Sequence, residues 1–154
     1  MLLFFSKGPE LMPMLFVVED SVRDMRTVED AARSVGFRAV IGDRTVRGAI
    51  TRLSTTASDS SVLPAAFLID LDLGDESGYE FLRFRHNKQE LARIPAVVWT
   101  HLDTHHQELC DLFGIQEFVD KGDGLEALTS ALRKVLPNDE PLNSNVKQPE
   151  LQIP

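Results

Sequence analysis

Four apolar runs in the 154-residue chain lead directly into residues able to do chemistry. Met14-Leu-Phe-Val-Val18 is followed by Glu19 and Asp20, and Ala65-Ala-Phe-Leu-Ile69 by Asp70 and then Asp72. Pro95-Ala-Val-Val-Trp99 runs into Thr100, and Glu117-Phe-Val119 into Asp120 and Lys121. In an open parallel sheet, ligands bind beyond the carboxyl ends of the strands, so neighbouring runs of this kind would bring these groups to one edge. Carboxylates that close repel one another, and one of them would be forced to keep its proton. A divalent cation removes that repulsion. An oxygen-only donor set with few carboxylates suits Mg²⁺, which keeps several waters and is commonly completed by phosphate. Lys121 and Thr100 suit an anion held against such a metal. Asp70, on the middle run, is placed to be a nucleophile, because carboxylates can form aspartyl phosphates. The chemistry implied is phosphoryl transfer onto a carboxylate, where protein groups position and neutralise charge.

These residues require a scaffold that alternates strand and helix. The continuous apolar runs at 14–18 and 65–69 mark strands buried on both faces. Phe37-Arg-Ala-Val-Ile41 predicts another strand, and 95–99 and 117–119 two more. Val22, Met25, Val28, Ala32 and Val35 predict a helix over 21–35, which Gly36 closes. Val46, Ile50 and Leu53 predict a weaker helix over 44–53, with a Ser/Thr-rich loop at 55–61. Gly74 to Gly78 reads as a turn, and helices are predicted over 79–91, 103–113 and 123–136. Asp123 is the predicted N-cap of the last helix, with Leu125, Leu128, Leu132, Val135 and Leu136 on its inner side. Five β–α units in a row predict an α/β fold: a five-stranded parallel sheet with helices on both faces.

Composition bounds the function. Hydrophobic residues are 43% and charged residues 26%, ordinary globular values that exclude full disorder, collagen and a disulfide scaffold. Net charge is −8 with no basic run, which argues against a nucleic-acid partner. No apolar stretch approaches the ~20 residues of a membrane helix. One cysteine, Cys110, and no recognisable export signal lead to the expectation of a reducing, cytoplasmic location.

The motifs together resemble the response regulator receiver domain of two-component, or phosphorelay, signalling. Leu15-Phe-Val-Val-Glu-Asp20 resembles that family's first-strand acidic pair, and Phe67-Leu-Ile-Asp-Leu-Asp-Leu-Gly-Asp-Glu-Ser-Gly78 its phosphoacceptor motif. Val97-Val-Trp-Thr100 and Phe118-Val-Asp-Lys121 resemble its fourth and fifth strands. The intervals from Asp20 to Asp70, Thr100 and Lys121, taken in turn, are 50, 30 and 21 residues, normal for the family. The resemblance implies a doubly wound, flavodoxin-like sheet in the order 2-1-3-4-5. It also implies Asp70 as phosphoacceptor, with Mg²⁺ held by the carboxylates of Glu19, Asp20 and Asp70 and the backbone carbonyl of Asp72. Thr100 and Lys121 would contact the phosphoryl oxygens, and Phe118 would be the aromatic switch that follows Thr100. The implied partners are a histidine kinase or histidine phosphotransfer protein and a downstream protein target, with no membrane and a possible homodimer. The chain departs from the family where proline is usual, at Gly74 and Gly122, and where a small residue is usual, at His101.

Two other readings fit some of these residues. Asp70-Leu-Asp72 also resembles the nucleophile motif of haloacid-dehalogenase-type phosphatases, but that motif normally sits on the first strand and is followed by Gly-Thr. A receiver-like scaffold that is never phosphorylated is the third reading. His105 and His106 are adjacent on a helix and so do not face one metal site. Cys110 and Trp99 read as core. The domain plan is an N-terminal extension at 1–13, a receiver domain at 14–136 and a flexible tail at 137–154, which is rich in Pro, Asn and Gln. Truncation after Leu136 is expected to leave the melting temperature and the rate of phosphorylation nearly unchanged. A large loss of either, measured by thermal melts and by phosphate incorporation, would show that the tail docks on the domain.

Overall fold

The computed structural model describes residues 13–56, 63–101, 103 and 105–137. Residues 1–12 of the predicted extension, 57–61 of the predicted Ser/Thr loop and 138–154 of the predicted tail lie outside them. Seven strands and six helices follow in the order β1 (Met14–Val18), α1 (Val22–Val35), β2 (Ala39–Asp43), α2 (Val46–Thr56), β3 (Ala66–Ile69), β4 (Asp72–Leu73), β5 (Glu76–Ser77), α3 (Gly78–His86), α4 (Gln89–Ala92), β6 (Ala96–Thr100), α5 (His106–Leu112), β7 (Glu117–Asp120) and α6 (Leu125–Val135). Five strands form one sheet in the order β2-β1-β3-β6-β7, every pair parallel. This is the predicted doubly wound arrangement, with the small antiparallel hairpin β4-β5 added to it.

Alternate residues along each strand feed two separate cores, which is why the strands read as continuous apolar runs. Phe16, Val18, Phe67, Ile69 and Val98 pack under α2, α3, α4 and α5. Leu15, Val17, Leu68, Val97 and Trp99 pack under α1 and α6. Phe16, Phe67 and Phe81 form an aromatic cluster in the first core, with ring centroids 5.5–6.3 Å apart. Each such ring removes on the order of 150–250 Å² from water, so the cluster fixes the spacing of β1, β3 and α3.

Several boundaries differ from the sequence reading. β2 is Ala39–Asp43 rather than 37–41, and α2 is Val46–Thr56 rather than 44–53. The start of α2 is set from outside its own sequence: Glu76 Oε2 accepts from Val46 N–H at 2.7 Å, satisfying one of the helix's orphan donors. The single helix predicted over 79–91 is two helices, broken at Asn87 and Lys88. Arg85 is the residue behind that break. Its buried guanidinium donates to the carbonyls of Ala92, Ile94 and Phe113, which folds α4 back beneath α3. Helix α5 begins at His106 rather than at 103. A 3₁₀ turn occupies Lys121–Asp123, so Gly124 rather than Asp123 is the N-cap of α6. Leu125, expected on the inner side of the last helix, is exposed, as is Val22 at the start of α1.

The turn predicted at 74–78 is the β4-β5 hairpin, and two glycines make it possible. Gly74 has φ +70°, a left-handed conformation that the proline usual in the resembling family cannot adopt. Gly78 starts α3 hard against the backbone of Asp70 and Leu71. A Cβ there would lie 2.1 Å from the Asp70 carbonyl oxygen and 2.8 Å from Leu71 Cα. Both contacts are backbone, so neither can swing away. Gly78→Ala is therefore expected to destabilise the chain by at least about 2 kcal/mol, through overpacking against backbone. Urea denaturation reads this directly, and a loss below about 0.5 kcal/mol would mean that helix and loop are not in close contact.

Candidate functional site

Because all five sheet strands are parallel, their carboxyl ends share one edge. Val18 pairs with Ile69, and Ile69 with Val98, so Glu19 and Asp70 leave the sheet side by side. Thr100 and Asp120 are partners on β6 and β7, and Lys121 follows. Each apolar strand holds its last polar residue in place by burying everything before it. Glu19, Asp70 and Thr100 are themselves buried.

Asp70 is engaged at both oxygens. Thr100 Oγ1 donates to Oδ1 at 2.7 Å, and Asp72 N–H donates to the same oxygen at 3.0 Å. Lys121 Nζ donates to Oδ2 at 2.8 Å. The ammonium also reaches Glu19 Oε2 at 2.8 Å and Asp24 Oδ2 at 2.7 Å. It lies 4.8 Å from the centre of the Trp99 ring, close enough for a cation–π contact. Carboxylate oxygens of Glu19, Asp20 and Asp70 all fall within 4.8 Å of one another. These are hard oxygen donors only, and the cluster fits a hard divalent cation.

The site residues expected from sequence divide into three groups. Glu19, Asp70, Thr100 and Lys121 are bonded to one another, and Asp20 stands beside them with its carbonyl held by the Arg44 guanidinium. Asp72 has an exposed side chain outside the carboxylate group and meets the site through its backbone. Phe118 is half-buried against the α2/α3/α5 core, below the site rather than in it. His101 is exposed and lines a cleft of about 310 Å³ with Asp24, Trp99, Lys121 and Leu125. Cys110 is buried, and burial pushes its thiol up to about 12, so it is an inert core residue. His106 Nδ1 is hydrogen-bonded to the Tyr79 hydroxyl.

Asp24 was missed by sequence reasoning. It lies in the first turn of α1, three residues after the N-cap Ser21, and that helix opens directly behind Glu19 and Asp20 at the same edge.

Burial sets the charge balance. It lifts the Glu19 carboxyl to about 7, despite bonds from Lys121 and the Ser21 N–H. The Lys121 charge is shared among three carboxylates, so it offsets only part of that cost for any one of them. Burial alone would lower Lys121, but its bonds to Asp24, Asp70 and Glu19 outweigh this and hold the ammonium above the ordinary lysine value.

No family model matches the sequence, and no curated protein matches it. Solved structures do match. The bacteriophytochrome response regulator AtBRR is 28% identical, with a TM-score of 0.63 over 82% of this chain and 94% of that one. The phosphorylated cyanobacterial phytochrome response regulator RcpA is 24% identical, with a TM-score of 0.66 over 80% of this chain and 90% of that one. The Mn²⁺-bound form of response regulator Rcp1 is 23% identical, with a TM-score of 0.66 over 82% of this chain and 99% of that one. The fold is that of response regulator receiver domains. No helix among the described residues is long and apolar enough to cross a membrane.

The upward shift of Glu19 has a defined sign for stability. The unfolded chain releases this proton near the ordinary value of 4.5 and the folded chain near 7. Between the two the folded state binds more proton, so this group's contribution to metal-free stability is present at low pH and is lost as pH rises through about 7. In EDTA, wild type is expected to lose stability relative to Glu19→Gln across that window, by up to about 3 kcal/mol. Urea denaturation at a series of pH values checks it, and a difference that stays flat would show that Glu19 is not held up by burial.

Proposed function

We propose that this chain is the phosphoacceptor of a two-component or phosphorelay pathway, with residues 14–136 as the receiver unit and Asp70 as the residue phosphorylated. The observation that carries the reading is the environment of Asp70. One carboxylate has an ammonium on one oxygen and a hydroxyl on the other, beside two further carboxylates. The likeness to response regulators supports it, RcpA being a phosphorylated one and Rcp1 a Mn²⁺-bound one.

In the proposed reaction an Asp70 carboxylate oxygen attacks phosphorus and forms an O–P bond. The bond from phosphorus to the donor breaks, and the leaving group departs with the electron pair: a histidine imidazole from a kinase or phosphotransfer protein, or acetate from acetyl phosphate. Glu19, Asp20 and Asp70 would hold Mg²⁺ through their carboxylates, and Asp72 through its backbone carbonyl. The ion, when bound, supplies charge neutralisation for the carboxylates and the incoming phosphoryl oxygens. Lys121 donates to one phosphoryl oxygen. Thr100 gives up its bond to Asp70 Oδ1 in exchange for another, and Phe118, half-buried on the neighbouring strand, moves into the space released. The new surface binds a downstream protein. This is a signalling role rather than a metabolic one, and a cytoplasmic location belongs to the same proposal.

Intact-mass measurement with Mg²⁺ and acetyl phosphate is the test. Wild type is expected to gain one phosphoryl group and Asp70→Asn none. A phosphoryl group that persists in Asp70→Asn would refute the assignment, and steady turnover of p-nitrophenyl phosphate would favour the phosphatase reading instead.

A further inference from the structure

We infer that Asp24 is a positioning residue: it holds the Lys121 ammonium beside Asp70 when Glu19 and Asp70 are given over to a divalent cation. The inference rests on the metal-dependent reading above and extends it to a residue outside the acidic cluster.

An ammonium has three N–H donors. In this structure they meet three carboxylates, those of Glu19, Asp24 and Asp70. Two of the three belong to the group whose oxygens lie within 4.8 Å of one another; Asp24 does not. Lys121 thus sits where a cation would compete with it for Glu19 and Asp70. Its side chain is only 7% exposed, so turning to bulk water instead is costly. The Asp24 side chain, 30% exposed, is the acceptor that cation binding leaves in place. Without it, Lys121 would keep only the Trp99 ring face as a favourable contact, or would have to hold on to Glu19 and Asp70 against the metal.

The local sequence explains why this carboxylate is available. Ser21 is the N-cap of α1, and its hydroxyl accepts from Asp24 N–H at 3.2 Å. In such a capping box the acid three residues on usually reaches back to the cap's own N–H. Here that N–H already donates to Glu19 Oε1 at 3.0 Å. Asp24 is released from its ordinary helix-end role, and its side chain goes to Lys121. The bland alternative is that Asp24 is one more negative charge near the edge, attracting any cation regardless of Lys121.

A double-mutant cycle separates the two. Mg²⁺ is titrated into the full chain, with affinity read by calorimetry and by the emission of Trp99, the chain's one tryptophan. Asp24→Asn is expected to weaken Mg²⁺ binding about 5–10-fold in the presence of Lys121 and less than about 2-fold in a Lys121→Met background, a coupling of ordinary size for groups in direct contact. Asp24→Glu is expected to restore most of the affinity, and melts in EDTA check that each variant is folded. Equal losses in both backgrounds would overturn the inference in favour of a diffuse charge effect, and no loss with Lys121 present would overturn it outright. Wild type that binds no Mg²⁺ would remove the metal-dependent reading and this inference with it, so the two failures are told apart by the first titration.

Discussion

The Lys121 ammonium, bonded by Glu19, Asp24 and Asp70 and capped by the Trp99 ring, is what allows the carboxyl edge of the sheet to exist in a folded chain. Carboxylates cannot be buried together without a counter-charge, and Glu19 and Asp70 are both buried. The lysine supplies that charge from the residue directly after the last strand, 102 residues along the chain from Glu19. Its position in turn requires every strand of the sheet to be in register. The site is therefore a product of topology as much as of local sequence. A parallel sheet is what delivers β1, β3, β6 and β7 to the same edge with the same polarity.

Two close contacts tune this edge. Gly78 lets the first turn of α3 rest on the carbonyl of Asp70, so the loop after β3 is braced from behind by a helix rather than left to solvent. Glu76, on β5 just before it, closes the start of α2. The β4-β5 hairpin that carries Glu76 and runs into Gly78 ties two helices and the loop together, although it has only two residues in each strand.

Much of this was legible from sequence. The runs 14–18 and 65–69 announce buried strands because both faces are covered, and the observed strands begin within one residue of those bounds. Asp70, Thr100 and Lys121 could be placed because a residue directly after a buried strand has little freedom in where it points. What escaped depended on partners distant in sequence. The start of α2 is set by Glu76, and the break between α3 and α4 by Arg85 and carbonyls up to 28 residues away. Leu125 has the period of an inner residue, but it is the opening residue of α6, directly after the 3₁₀ turn and Gly124, and is exposed. Asp24 escaped because it follows no apolar strand; it reaches the edge from the first turn of α1.

Arg85, described above as the cause of a helix break, has a mechanical meaning as well. From one end of α3, its guanidinium grips the Phe113 carbonyl at the close of α5, while His86 packs edge-on against the Phe113 ring. From the other end of α3, Tyr79 bonds to His106, the opening residue of α5. Helix α5, which bridges the strand carrying Thr100 and the strand carrying Phe118, is strapped to α3 at both ends. A displacement of α5 away from α3 would have to break a part-buried polar contact at one strap or the other.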